Sequence, residues 1–345
     1  MDKTRDTNPS GKSGLMSALG SAFNAASKFS MALAVVLALP NAASAGQPNW
    51  PQTLTLGTAS EGGTYYTYGE GLAQLLTREL GIIVTARPTG GPVDNIKLIE
   101  SGEIQLGFVT MGVALQGWNG SASWTGGKKY QNMRVMFPMY DTPFQFQVLN
   151  DSPIQSIADF AGKRIGVGPK GGTTATYFPE FLKALNINAT LVEGDWTVLG
   201  DKSLGKGIDA LAVGAGVPAP VFIDVERKAK VRYLSLTKPE IASLRLAMPE
   251  LSSSVVASGT YPTLRRRYDT VGFFNFAVAN KDLPDDLVTA ILNTVFTQQE
   301  RMIEIHPSAA ETIPSNFTRN TFLPYHGGAA SWFRSKATPG VTLSD

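Results

Sequence analysis

The sequence predicts an α/β protein of two lobes, each a mostly parallel sheet flanked by helices, the two joined by two crossing segments. Short strand-like runs ending in glycine turns alternate with amphipathic helical patterns, which forces parallel strands covered by helices on both faces. Two long extended stretches, RVMFPMYDTPFQFQVLN and VGFFNFAVAN, interrupt the alternation and read as passages between sheets. About 300 residues follow the amino-terminal leader, enough for two domains with cores of their own.

The leader has three parts: a start bearing Lys3, Arg5, Lys12 and Lys28, the run FSMALAVVLAL from Phe29 to Leu39, and the small residues ASA. That is the grammar of a signal peptide over residues 1–45, with cleavage after Ala45 and a periplasmic product. The run is shorter than the roughly 20 residues of a spanning helix, and Pro40 ends it. Met16 and Met31 offer later starts without altering this reading. Of 30 Lys and Arg and 28 Asp and Glu, the leader holds four and two, which leaves 26 of each sign. A neutral mature chain argues against nucleic acid as a partner. There is no cysteine, which excludes disulfides, thiol catalysis and thiolate metal sites.

After Pro51, TLTLGT reads as a buried strand, and SEGGTYYTYGEGLAQLLTREL as a glycine turn feeding a helix with Leu72, Leu75, Leu76 and Leu80 inward. The unit recurs: IIVTARP is a strand, TGGPVDN a loop, and VDNIKLIESG a helix with Pro92 in its first turn and Gly102 at its end. IQLGFVT is a third strand. The first crossing falls near Thr142 to Phe146. Beyond it come a helical turn and strand in DSPIQSIADFAGKRIGVG, the helix TTATYFPEFLKALN, the strand ATLVEG, the apolar IDALAVGAG and the strand VRYLSL. The return crossing falls near Val271 to Phe276. DLPDDLVTAILNTVFTQQERMIEI then reads as one long helix capped by Asp282 or Asp285, with Leu287, Ile291 and Val295 as its core stripe. The tail from His306 covers the first lobe. The expected organisation is therefore 46–143 with 274–345 as lobe 1, and 144–273 as lobe 2.

Three loops, Ser60 to Tyr66, Thr89 to Asn95 and Gly168 to Thr174, each follow a strand and open a helix. Glycines let free N–H groups turn toward a ligand and the helix dipole adds partial positive charge, which suits carboxylate or phosphate. Taken singly, each is equally a tight turn with capping threonines. Three of them, divided between two lobes, would face one cleft at the carboxyl ends of the strands. Tyr65 or Tyr66 could bury a ligand at its mouth.

Gly166, Gly168 and Gly171 also spell G-x-G-x-x-G between strand and helix, with Glu193 ending the next strand, which admits a dinucleotide-dependent oxidoreductase. Pro169 inside the turn and the mid-chain position speak against it. A phosphate-binding P-loop fails because Lys170 precedes the glycine pair. Catalytic groups are sparse. His306 and His326 lack metal-ligand spacing and read as structural. Arg265 to Arg267 read as a solvated face. No cofactor, metal or catalytic residue is expected.

These blocks together resemble the TAXI class of extracytoplasmic solute receptors that serve tripartite ATP-independent periplasmic (TRAP) transporters. The carriers are LGTASEGGTYYTYGEGLAQLL, TGGPVDNIKLIESGEIQLGFVT, MFPMYDTPFQFQVL, SIADFAGKRIGVGPKGGTTAT, KGIDALAVGAGVPAP, DLPDDLVTAILNTVF and YHGGAASWF, which span nearly all of the mature chain. The resemblance implies a two-lobed periplasmic binding protein of the Venus-flytrap kind, not an enzyme. Such a protein closes on a small carboxylate or amino acid, glutamate or 2-oxoglutarate being the model, and delivers it as a monomer to TRAP permease subunits. A receptor for an ABC importer or a membrane sensor would share the fold. The resemblance carries ligand binding onto Gly62, Gly63, Thr64, Tyr65, Tyr66, Thr89, Gly90, Asn95, Gly171, Gly172, Thr173 and Thr174. Thr58 and Thr110 at strand ends, Tyr140, Lys170 and Gly216 complete the expected set. Ala59-Ser60-Glu61 and Tyr140-Asp141 depart from the family's usual residues. Glu61 would repel an anion if it pointed inward, and Lys170 would attract one.

Overall fold

The computed structural model describes Gln47 and residues 49–336, so the expected leader and its cleavage after Ala45 lie outside the described residues. Strand β1 (Thr53–Gly57) leads into helix α1 (Thr64–Leu80), and β2 (Ile83–Arg87) into α2 (Pro92–Ser101). The buried stripe of α1 includes Leu72, Leu75, Leu76 and Leu80, one face at helical spacing. Pro92 stands in the first turn of α2, where a missing N–H costs nothing, and Gly102 closes it at φ +79°, a conformation that strains any side chain. β3 (Leu106–Thr110) runs directly into α3 (Met111–Asn119), which the sequence pattern leaves unassigned because no polar turn separates them. β1 pairs in parallel with β2 and β3.

The second sheet repeats the plan. It holds the end of β4 (Met133–Leu149), then β5 (Arg164–Gly168), α4 (Thr173–Ala184), β6 (Thr190–Glu193), α5 (Trp196–Leu204), β7 (Ala210–Gly214), α6 (Pro220–Lys228) and β8 (Val231–Leu234). β5 pairs in parallel with β6 and β7, whereas β4 is antiparallel to β7 and β8. Helices α5 and α6 escaped the sequence reading, as did α7 (Lys238–Ala247) and β9 (Ser252–Val256). Their cues were present: Pro220 at a helix start, and a Thr237–Glu240 capping box before α7.

β10 (Tyr268–Asn280) lies antiparallel between β3 and β4, and its first residues pair with β9. Each sheet is thus parallel within its own strand–helix units and antiparallel where a crossing strand joins it. The first part of β4, as far as Pro143, pairs with β10, and the remainder serves the second sheet. The β4–β10 register shifts between Phe274 and Phe276. Pro138 and Pro143 supply no ladder donors there. Asn275 compensates, its Nδ2 donating to Tyr140 O at 2.7 Å and to Thr142 Oγ1.

The helix expected from Asp282 to Ile305 is two helices, α8 (Asp285–Thr297) and α9 (Gln299–Ile305), parted at Gln298. The break turns α9 so that Ile305 lies where a Cβ on Gly71 of α1 would stand. Neither Asp282 nor Asp285 caps α8. Pro284 holds that position, and the Asp285 carboxylate accepts instead from the Gly328 N–H at 2.9 Å. Helix α10 (Gly327–Lys336) packs on α8, and Ala329, Trp332 and Phe333 share a buried cluster with Leu56, Tyr68, Leu287 and Ile291. On the other face one cluster runs unbroken from Ile96 and Val109 through Phe273 and Phe144 to Phe178. Among the described residues, no helix is long and apolar enough to cross a membrane.

Both histidines are buried. His306 Nδ1 accepts from the Ser308 N–H at 3.2 Å, which leaves the proton on Nε2 for donation to Pro218 O at 3.2 Å. Burial holds its pKa down at about 4. The unfolded chain, with an ordinary imidazole near 6.5, takes up the proton first. The stability tied to neutral His306 is therefore complete above about pH 6.5 and is lost as pH falls toward 4. Asp141, pushed up to about 6 by burial, works in the opposite sense, so the test isolates the histidine. Urea unfolding of the wild type and of His306→Gln should show a stability difference that shrinks by up to about 3 kcal/mol between pH 7 and pH 4.

Candidate functional site

Loops at the carboxyl ends of strands from both sheets enclose a small cavity of about 40 Å³. Space on the order of three waters suits one compact group of a ligand. Of the expected residues, Gly63, Thr64, Tyr65, Gly90 and Thr110 line it from the first sheet, and Gly172, Thr173, Thr174 and Gly216 from the second.

The remaining expected residues are elsewhere. Thr58, Thr89 and Asn95 tie the strand ends together behind the cavity. Asn95 Nδ2 donates to Thr58 O and Phe108 O at 2.9 Å each, and the Thr89 hydroxyl lies 2.9 Å from Asn95 Oδ1. Every polar atom of the Asn95 side chain is thereby used, so it shapes the loops rather than lining the cavity. Tyr140 is fully buried beneath Gly216, where its ring leaves no room for a Cβ, and its hydroxyl has no partner among the described residues. Tyr66 and Glu61 border a separate shallow groove. Lys170 and Gly171 face a third, wide groove, and Gly62 lies under Trp196. The expected opposition of Glu61 and Lys170 over an anion does not arise, because neither side chain reaches the cavity.

Among the described residues, no Asp, Glu, Lys, Arg or His lines the cavity. Its polarity comes from amides and hydroxyls. Helices α1 and α4 begin at Gly63 and Gly172 without a side-chain cap. The N–H groups of Thr64, Tyr65, Thr173 and Thr174, in their first turns, have no acceptor among the described residues. α2 differs. Pro92 has no N–H, and the Val93 N–H donates across to Gly171 O at 3.2 Å. Two uncapped helix starts, one from each sheet, therefore face the cavity, and the third is occupied in joining the sheets.

The hydroxyls add to the donor side. Thr174 Oγ1 accepts from the Gly214 N–H at 2.7 Å and Thr142 Oγ1 accepts from Asn275, which leaves both hydroxyl protons unassigned. The Thr110 and Thr173 hydroxyls lie 3.2 Å apart, so that pair has one proton to spare. Tyr65 donates to Asn275 Oδ1 at 2.5 Å, and burial raises its pKa, keeping the proton in place. An excess of donors without a formal charge is the chemistry of an anion site.

Direct contacts close the cavity. The Thr64 hydroxyl donates to Gly216 O at 3.0 Å, and the Val221 N–H to Gly62 O at 3.1 Å. Gly90, Gly91, Gly171 and Gly172 let two backbones meet: a Cβ on Gly90 would stand 2.4 Å from Lys170 O.

Trp196 is the main lining residue that sequence reasoning missed. It begins α5 from the second sheet, is 6% exposed, and spans the glycine loops of both sheets. Ideal Cβ atoms on Gly63 and Gly168 would stand 3.1 and 2.4 Å from its ring. Gly168 is at φ +82°, and the space above the G-x-G turn that a dinucleotide phosphate would need is filled by the indole. VEGDW is in fact a fourth strand–glycine–helix start. Thr142, Pro169, Gly214 and Ala215 join the lining from positions with no local motif. Among the described residues, no group of His, Asp and Glu is placed to hold a metal ion.

Residues 56–336 match the model of the NMT1-like family. Among solved structures, the periplasmic binding protein BugD is similar with a TM-score of 0.51 at 16% identity, over 74% of this chain and 88% of that one. The substrate binding protein of an amino acid ABC transporter gives 0.45 at 13% identity, over 73% and 96%. The periplasmic aliphatic sulphonate binding protein SsuA from Escherichia coli gives 0.44 at 14%, over 83% and 90%. The likeness to BugD is one of fold, that of the two-lobed periplasmic binding proteins.

Gly90→Ala should force the second and third glycine loops apart while leaving both sheets intact. Amide exchange of Val93, slowed by its bond to Gly171 O, should accelerate by roughly tenfold as that bond is lost, and protection in β1 and β5 should stay unchanged.

Proposed function

The chain belongs to the NMT1-like family, and from that premise we propose that it is an extracytoplasmic solute receptor that captures a small carboxylate or amino acid and presents it to a membrane permease. The observation that carries the reading is the pair of uncapped helix starts, α1 from one sheet and α4 from the other, aimed with free amides into one cavity. Amides fixed by folding gain little from each other and much from a shared anion. A ligand held by both sheets favours the closed arrangement by its differential affinity, and a reaction is not required.

In this reading the moving bodies are residues 46–143 with 274–345 and residues 144–273, hinged where β4 and β10 cross. The leader delivers the protein to the periplasm. The sequence blocks shared with TAXI receptors support a TRAP permease as partner and a monomeric working state.

Thermal melting against a panel of small carboxylates and amino acids tests the proposal. At a hundredfold excess over Kd, a ligand selective for the native state stabilises it by about 2.7 kcal/mol, a shift of several degrees. Stabilisation by some other ligand class, with none by any carboxylate or amino acid, would sink the reading.

A further inference from the structure

The cavity also discriminates among anions, and this step rests on the receptor reading. An amino acid brings an ammonium group that must exchange its water for a carboxylate or for several free acceptors. Among the described residues, no acidic side chain lines the cavity. Most of the named backbone acceptors in its lining are already engaged: Gly216 O receives the Thr64 hydroxyl, Ala215 O the Gln145 amide, and Pro169 O the Gly172 N–H, which leaves Gly90 O where an ammonium needs several. Tyr65, the aromatic on the first-sheet side, turns its hydroxyl to Asn275.

Trp196 tips the same balance. Its indole is more than nine-tenths buried, lines the cavity, and has no acceptor for its Nε1–H among the described residues. The five-membered-ring edge, Cδ1 and Nε1, is the part next to Gly63, within 3.1–3.3 Å of where its Cβ would be, and the six-membered ring covers Gly168. An indole edge carries partial positive charge and a donor, so it favours an oxygen and disfavours an ammonium. Because Trp196 belongs to α5 of the second sheet and its edge meets α1 of the first, this donor is in place only when the two sheets are together.

We propose that the cavity selects a small organic anion with no cationic group, a 2-oxo or 2-hydroxy acid and not its amino-acid counterpart, and that Trp196 is the donor that completes the site on closure. Isothermal titration should compare matched pairs on the wild-type protein: pyruvate and lactate with alanine, oxaloacetate and malate with aspartate, 2-oxoglutarate and 2-hydroxyglutarate with glutamate. At least one oxo or hydroxy acid should bind at least tenfold more tightly than its amino acid. Trp196→Phe, which keeps an aromatic ring at the position and removes the N–H, should weaken that ligand by roughly tenfold while unfolding stays cooperative.

An amino acid that binds as tightly as its partner acids would overturn the selectivity and leave the receptor reading standing. Unchanged affinity in Trp196→Phe would overturn the role of the indole. Binding by none of these compounds, together with no thermal shift from sulfonates, sugars or polyamines, would overturn the inference and the receptor reading with it.

Discussion

The antiparallel ladder between β4 and β10 is the constraint on which the rest depends. Each strand is long enough to leave one sheet and enter the next, 17 residues in β4 and 13 in β10. They run side by side, from Gly272 opposite Pro143 to Asn280 opposite Met133. Both sheets therefore hang on a common two-stranded spine, and the carboxyl ends of their parallel strands are brought toward the same place. The spine is weakest where the site needs give. Two prolines and a register shift interrupt the ladder beside Asn275, whose side chain supplies donors that the backbone lacks. The same Asn275 accepts from Tyr65, so the flaw in the ladder and the wall of the cavity share one residue.

That geometry explains how a cavity without a charged side chain still suits an anion. A buried lysine or arginine would need a permanent partner in the empty state, at a desolvation cost of several kcal/mol. Uncapped first-turn amides carry no such debt when solvated, and they cannot swing away, because helix and strand fix them. The α1 and α4 starts come from different sheets, so the sum of their fields exists only when the sheets are together. In the proposed receptor, recognition and closure are then one event, and the glycines at Gly90, Gly91, Gly171 and Gly172 are required by the approach of two backbones, not only by the turns they make.

Much of this was legible because its causes are local. Glycine followed by threonine at a helix start is a short-range pattern, and it led to Gly63, Thr64, Gly172, Thr173 and Thr174 at the cavity. The α1 stripe and the Pro92–Gly102 frame of α2 were readable for the same reason. Other features depend on partners distant in sequence. Nothing near Lys170 or Glu61 says which way the side chain turns, and both face away from the cavity. Asn95 carries a plausible binding amide, yet its three polar contacts are all within the fold. The single helix drawn through Gln298 was a fair reading of periodicity, since Met302 continues an apolar face. Only the position of α1 decides that α9 must turn. Trp196 was missed because an aromatic at a helix start reads as core until the opposite glycine loop is set against it.

The balance between open and closed arrangements can be reasoned from the same contacts. The bonds that cross the cavity are few: Val93 to Gly171, Val221 to Gly62, Thr64 to Gly216, and the Thr110–Thr173 pair. Each contributes on the order of 1 kcal/mol net, since open loops bond to water instead. Against them stand the immobilised glycine loops, whose backbone ordering costs about 1–2 kcal/mol per residue. An anion that meets the Thr64 and Thr173 amides together adds charge-assisted bonds of about 1.5–3 kcal/mol each, and only in the closed arrangement. For the proposed receptor, two such bonds, about 3–6 kcal/mol together, would move an even population almost wholly to the closed side. Under the receptor proposal the choice of ligand falls to those few donors, and a group that leaves them unused, or sets a cation against them, also leaves the lobes unclosed.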